Sequence, residues 1–406
     1  MSDIKASDIR LFDSRNPARQ RRAAERLSHV SPFLAMDVLS AAKSIERAGG
    51  SVIHMELGEP SSPTPRVIRE AAQRALEIGK ISYTEALGRD SLRERISRYY
   101  RDIHNVHVHP ARIVITTGSS AGFVLSFLAL FEPGARIAVS APGYPAYRNI
   151  FTALGLEAVP VPLDDSNGWM LTGAAIARLH AQKPLDGVLA MSPANPSGVT
   201  MERATLAALA QNCRSLGIWL ISDEIYHGLT YGMQAETALA FDDEAIIVNS
   251  FSKYYCMTGW RIGWLVLPEE LVRGVERLAQ NLYISPPLLS QIAAEAAFDA
   301  TDELEVIKAG YAANRDLLLN ELPKIGLGRG PIANGAFYLY IDVSHLSDNS
   351  LTLSQNLLNK AGVAVTPGLD FDPENGAAYI RLSYAGSLTD CREAVTRLHG
   401  FITANH

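Results

Sequence analysis

Seven short apolar runs, each separated from the next by a longer stretch that is mostly helical in pattern, constrain the fold of this chain more than any other feature. They fall at Arg112–Thr116, Arg136–Ser140, Ala158–Val161, Gly187–Met191, Ile218–Ser222, Ala245–Asn249 and Ile262–Leu267. Runs this short, rich in β-branched residues and without polar alternation, suit strands buried on both faces. Their rhythm predicts an α/β fold, a mostly parallel seven-stranded sheet covered by helices on both sides. At 406 residues, 47% hydrophobic and 20% charged, the chain exceeds what one compact core holds, so two domains are expected. Beyond Pro268 the pattern turns mainly helical, with strand-like runs at Ala336–Ile341 and Tyr379–Ser383. We read 51–300 as a large ligand-binding domain and 301–406 as a small α+β domain. Residues 1–50 read as an N-terminal arm packing in part with the small domain.

Charge narrows the function classes. A formal net charge of -6 leaves no basic footprint for nucleic acid or an anionic membrane surface, which favours small-molecule chemistry. Cys213, Cys256 and Cys391 are widely spaced, so neither a disulfide framework nor a cysteine metal site is indicated, and a reducing cytoplasm fits. The longest apolar stretch, around Phe123 to Phe131, is too short to span a bilayer, and the N-terminus lacks the apolar core of a secretion signal. Arg10, Arg15, Arg19, Arg21, Arg22 and Arg26 are interspersed with Asp3, Asp8, Asp13 and Glu25, which reads as a solvated arm or short helix, one that could lie on a partner subunit. The three histidines of HNVHVH, His104 to His109, match no closed zinc pattern, and no metal is expected.

Polar residues of compatible chemistry recur after five of the predicted strands, at the sheet edge where open α/β folds bind ligands. Lys253 sits on a serine-rich turn just past Ala245–Ser250, and a lysine in a partly dry pocket is readily deprotonated and able to attack an aldehyde. Ser250 and Arg261 could both reach a phosphate. Gly118-Ser119-Ser120 opens a helical pattern, offering backbone amides and hydroxyls to a phosphate, or simply capping the helix. In APGYPAY the turn could present Tyr144 as a flat face for an aromatic ring. Asn195, before a proline in SPANPSG, could donate to a ring oxygen. Asp223 in SDEIY needs a cationic partner if buried, or caps the next helix, and Tyr226 lies three residues on. Together these are the polar groups that pyridoxal 5'-phosphate requires.

With these residues in order, the chain resembles the fold-type I, class I/II pyridoxal-phosphate aminotransferases, broadly of the bacterial aspartate-aminotransferase kind. The resemblance runs through ELGEP at Glu56–Pro60, SYTEALG at Ser82–Gly88, TTGSSAG, APGYPAY, SPANPSG, SDEIY, SFSKYYCMTGWRIG, GAFYLY at Gly335–Tyr340 and YIRLSYA at Tyr379–Ala385. It implies that Lys253 is the Schiff-base lysine, that Asp223 pairs with the pyridine nitrogen, and that Asn195 and Tyr226 contact the phenolic oxygen. By the same resemblance Ser119, Ser120, Ser250 and Arg261 hold the phosphate and Tyr144 stacks on the ring. Tyr83 would reach the phosphate of a neighbouring subunit's cofactor, implying a homodimer. Arg381 would grip the substrate carboxylate, with Gly58 supplying a backbone contact. Three departures bear on substrate choice: Ser61-Ser62 replace the family's Asp-Phe, Asp372 replaces a glycine, and Leu278–Gln291 carries no arginine for a dicarboxylic substrate.

The expected chemistry is transfer of an amino group from an L-amino acid to a 2-oxo acid with ping-pong kinetics, Lys253 moving the proton. A carbon–sulfur β-lyase of the same fold is the alternative. A cofactor-sensing regulator is disfavoured because only about fifty residues precede the large domain, fewer than a DNA-binding domain usually needs.

Overall fold

A computed structural model describes residues 22–405. Its strands are, in chain order, β1 (Ile53–His54), β2 (Ile113–Thr116), β3 (Arg136–Ala141), β4 (Glu157–Pro162), β5 (Gly187–Met191), β6 (Trp219–Asp223), β7 (Ile246–Ser250), β8 (Gly263–Val266), β9 (Tyr338–Asp342), β10 (Val363–Ala364), β11 (Thr366–Pro367) and β12 (Tyr379–Ser383). Seven of them form one sheet in the order β2-β8-β7-β6-β5-β3-β4. Only β8 runs against its neighbours; β3 through β7 pair in parallel. The mostly parallel seven-stranded sheet expected from the apolar runs is therefore present, each strand within one residue of its run.

The lack of polar alternation has its cause in burial on both faces. Ile113, Ile115, Val188, Ile247, Trp264 and Val266 pack into one apolar cluster, while Val114, Leu189, Ile246, Val248 and Leu265 pack into another on the opposite face. Alternate side chains of one strand thus serve two cores, and neither face tolerates charge.

A second sheet, ordered β11-β12-β9 and antiparallel, sets Arg381 opposite Thr366 on one side and Tyr340 on the other. Its edge strand β9 begins at Tyr338 rather than Ala336. Ala336 is left-handed, with φ 54°, and its N–H donates to Leu229 O at 2.8 Å, outside the ladder. The helix Leu34–Arg47 lays Val38 and Ala42 on Leu358 and Ala364, and β1 pairs in parallel with β10. Arg10, Arg15, Arg19 and Arg21 lie outside the described residues. Arg26 opens a one-turn helix, Arg26–His29, and donates to Ala153 O. No helix of the described residues is long and apolar enough to cross a membrane, and among them no three His, Cys, Asp or Glu are grouped to hold a metal.

Candidate active site

The carboxyl ends of the parallel strands converge on a cavity of about 360 Å3. Ser119, Ser120, Tyr144, Asn195, Asp223, Tyr226, Lys253, Arg261, Gly58 and Arg381 all line it. Residues up to 323 positions apart (Gly58 to Arg381) thus meet at one sheet edge, the place where an open α/β fold has room for a ligand.

At its floor, Asp223 ends β6 with its carboxylate 1% exposed. The Tyr147 hydroxyl and the Ile225 N–H donate to it, and among the described residues no cation pairs with it. Burial raises this carboxyl to about 6, against the pull of those two hydrogen bonds and of Lys253. A buried carboxylate without a cation is costly unless a ligand brings one, and a protonated pyridine nitrogen is such a cation. Tyr147 was not anticipated from the sequence; it closes APGYPAY, three residues after Tyr144 and on the same helical face.

Lys253 is half-buried in the wall, its Nζ donating to Gly58 O at 2.6 Å. Burial lowers its amine to about 8; Glu59 and Asp223 oppose this, and Arg381 and Arg261 add to it. The amine is therefore far more often free at neutral pH than that of an exposed lysine.

Two cations of the cavity stand without carboxylates among the described residues. Arg381, 3% exposed, sends Nη1 to Asn195 Oδ1 at 2.9 Å and Nη2 to Glu56 O and Thr366 Oγ1, while its Nε has no partner. The Tyr338 and Phe371 rings lie 4.3 and 4.8 Å from its Cζ. Arg261 donates to Thr258 O and reaches toward the start of the helix Gly118–Leu130. That approach demands glycine at 118, where φ is +73° and a Cβ would stand 2.4 Å from Arg261 Nη2. Ser119 and Ser120 lie within the first turn rather than ahead of it, and Thr117 makes no side-chain cap. The first-turn amides thus remain available to an anion, and two hydroxyls and a guanidinium stand beside them.

Ser250 and Tyr83 are placed differently. Ser250 is buried behind the wall, its Oγ 2.9 Å from Ser252 Oγ and also donating to Ile262 O, and it is Ser252 that lines the cavity. Tyr83 is 78% exposed and away from the cavity of its own chain. The Tyr226 hydroxyl meets that of Tyr338 at 2.6 Å; Tyr338 lies within GAFYLY, although nothing in that motif signals this pairing. Neither Ser61-Ser62 nor Asp372 lines the cavity. Ser61 Oγ donates to Ala385 O, and Asp372 caps its own turn through the N–H groups of Glu374 and Asn375. Cys256, likewise, is a buried packing residue whose thiol burial pushes up to about 11.

The residue set fits pyridoxal phosphate: an amine for an aldehyde, a lone buried carboxylate for a ring N–H, and an anion cradle with an unpaired guanidinium. Comparison with known proteins agrees. A profile of the family described as aminotransferase class I and II matches residues 51–398. A valine–pyruvate aminotransferase of Mycobacterium tuberculosis is 45% identical over 377 residues, 92% of this chain and 97% of that one. A (5-formylfuran-3-yl)methyl phosphate transaminase of Methanocaldococcus jannaschii is 34% identical across 93% of this chain and 99% of its own length. A crystal structure of an aminotransferase from Mycobacterium tuberculosis superimposes with a TM-score of 0.92 at 44% identity, covering 95% of this chain and all of that one.

Proposed function

Because this chain belongs to the class I and II aminotransferases, enzymes that depend on pyridoxal phosphate, we propose that it moves the amino group of an apolar L-amino acid, valine foremost, to pyruvate. The observation that carries the donor class is the makeup of the cavity. Beyond Lys253, Arg381 and Arg261 it presents no further cation among the described residues, and Phe33, Met36, Leu57 and Tyr144 face it. A second substrate carboxylate would meet no partner from this chain, whereas an aliphatic side chain finds apolar surface. The valine–pyruvate relative points the same way.

Bound pyridoxal phosphate supplies an aldehyde to take up the amino nitrogen and a ring to accept the electrons released at the α-carbon. The chain's own residues do the rest. Arg381 clamps the donor carboxylate through its uncommitted N–H groups, and Asn195 holds that guanidinium in place. Asp223 keeps the ring nitrogen protonated, with Tyr147 fixing the carboxylate. Lys253 Nζ takes the proton from the donor α-carbon and later returns one. Ser119, Ser120, Ser252 and Arg261 hold the phosphate, with Ser250 behind them, and Tyr226 and Asn195 serve the phenolic oxygen.

The same reading makes the enzyme a cytoplasmic homodimer in which Tyr83 reaches the partner's site, as its 78% exposure supports. It divides the chain into a large domain at 51–300 and a small domain at 301–406, with 1–50 joining the latter in part; the packing of Leu34–Arg47 on Ala364 and Leu358 supports this division. Alanine formed from pyruvate measures the donor preference. Valine is expected to give a kcat/KM at least tenfold above aspartate, and the reverse order would overturn the apolar reading.

A further inference from the structure

The outer wall of the cavity is built by the N-terminal segment, where Phe33, Ala35 and Met36 line the space. That segment opens the helix Leu34–Arg47, which has no side-chain cap of its own, its N-cap being Phe33. Its first two amides are met from the far end of the chain. Leu34 N–H donates to Asp370 Oδ1 at 3.0 Å and Ala35 N–H to Oδ2 at 3.2 Å. Asp370 is 4% exposed and, among the described residues, makes no ion pair, so both of its oxygens serve this helix.

The loop that carries Asp370 is held independently of that side chain. Arg148 donates to the carbonyls of Asp370 and Phe371 at 2.8 Å each, and Gly143 N–H donates to Phe371 O at 3.1 Å. Phe371 lies against the Arg381 guanidinium, and Phe33 meets the Tyr144 ring edge-on at 5.8 Å. One carboxylate therefore joins a loop fixed beside the arginine to the segment that walls the space where a donor side chain must lie.

We propose that Asp370 is a positioning residue for donor recognition: by capping the helix Leu34–Arg47 it holds Phe33 and Met36 against the side chain of the bound amino acid. The inference rests on the reading that apolar amino acids are the donors. Removing the carboxylate frees the wall but leaves Phe371 and Arg381 supported through backbone carbonyls, so the loss falls on contacts to the donor side chain. A lost N-cap of this kind typically costs about fivefold, and up to about thirtyfold, in an equilibrium.

The test uses the holoenzyme with a series of donors from alanine to valine and leucine, pyruvate or another oxo acid as acceptor, and the variants Asp370→Ala, Asp370→Asn and Met36→Ala. For Asp370→Ala the KM for valine and leucine is expected to rise about tenfold with kcat changed less than threefold, while the KM for alanine moves little. Asp370→Asn, which keeps an acceptor oxygen, recovers most of the loss. Amide hydrogen exchange at Leu34 and Ala35 is expected to quicken in Asp370→Ala, with or without cofactor. Met36→Ala, a change at a half-exposed wall position, tests the wall without touching the cap and is expected to raise the KM for valine more than that for alanine. Parallel changes for all donors, or unchanged KM values with unchanged exchange, overturn the proposal. Failure of the donor reading shows separately, as a wild-type enzyme that prefers aspartate or glutamate to valine.

Discussion

Lys253 and Asp223 are shifted toward each other by the same physical cause. Burial lowers the lysine to about 8 and raises the aspartate to about 6, so both titrate near the working pH rather than far outside it. The unfolded chain holds the Lys253 proton up to about 10.5, whereas the folded apoprotein releases it near 8. The buried ammonium therefore opposes folding in full below pH 8, and the apoprotein gains stability as pH rises from about 8 to 10.5. Cofactor capture, followed as growth of a yellow absorption band, should rise with a midpoint near pH 8. Lys253→Ala is expected to show neither the band nor the stability rise, and to lose most turnover. A midpoint near that of an exposed lysine would mean that the amine is not held as described. Lys253, Asp223, Asn195, Arg261 and Arg381 were legible in the sequence because each sits at a fixed offset from a strand or within a quoted motif. Tyr147 and Tyr338 were less so, since an aromatic residue in a motif reads equally well as core.

At the scale of elements, the strand ends do the positioning. The seven runs could be placed within a residue because strands buried on both faces leave an unbroken apolar signature. Ala336 could not be excluded from β9, because nothing in its composition announces a left-handed residue bonded out of the ladder. The cradle after β2 depends on one glycine. Gly118→Ala would set a Cβ 2.4 Å from Arg261 Nη2 on a backbone at φ +73°, a left-handed position that costs a non-glycine residue about 1–2 kcal/mol. We expect a folded protein whose affinity for pyridoxal phosphate falls about tenfold, measured by equilibrium dialysis. Unchanged affinity would show that the first turn of Gly118–Leu130 is not the phosphate seat. The Asp370 cap on Leu34–Arg47 had no sequence signal, since its partners lie more than 330 residues apart and only the folded chain joins them.

Across the whole molecule, half of the exposed large apolar residues among the described ones gather on two segments. Leu76, Ile78, Ile81 and Tyr83 lie on one segment, and Leu282 and Ile284 on another; Thr84 N–H and Ser285 Oγ, 3.4 Å apart, bring the two together. Gathered apolar surface of this kind is where a subunit interface is expected, and in the proposed homodimer Tyr83 would connect assembly to the site. Ile78 is 79% exposed, so Ile78→Asp should leave the fold intact while shifting sedimentation from dimer to monomer and weakening cofactor retention. A monomeric wild type would contradict this account of Tyr83. The absence of an arginine from Leu278–Gln291 belongs to this scale too, because in the proposed homodimer its meaning would depend on what the partner brings.

One cavity, with the Lys253 amine and the Arg381 guanidinium at its wall, is proposed to remove the amino group from an apolar amino acid. The most direct measurement is the absorption spectrum of the holoenzyme titrated with valine and, separately, with aspartate, in the absence of any oxo acid. A yellow band is expected that valine bleaches stoichiometrically, with release of its 2-oxo acid, at concentrations where aspartate leaves the band intact. A band bleached by aspartate alone, or a protein that stays colourless with added pyridoxal phosphate, would contradict it.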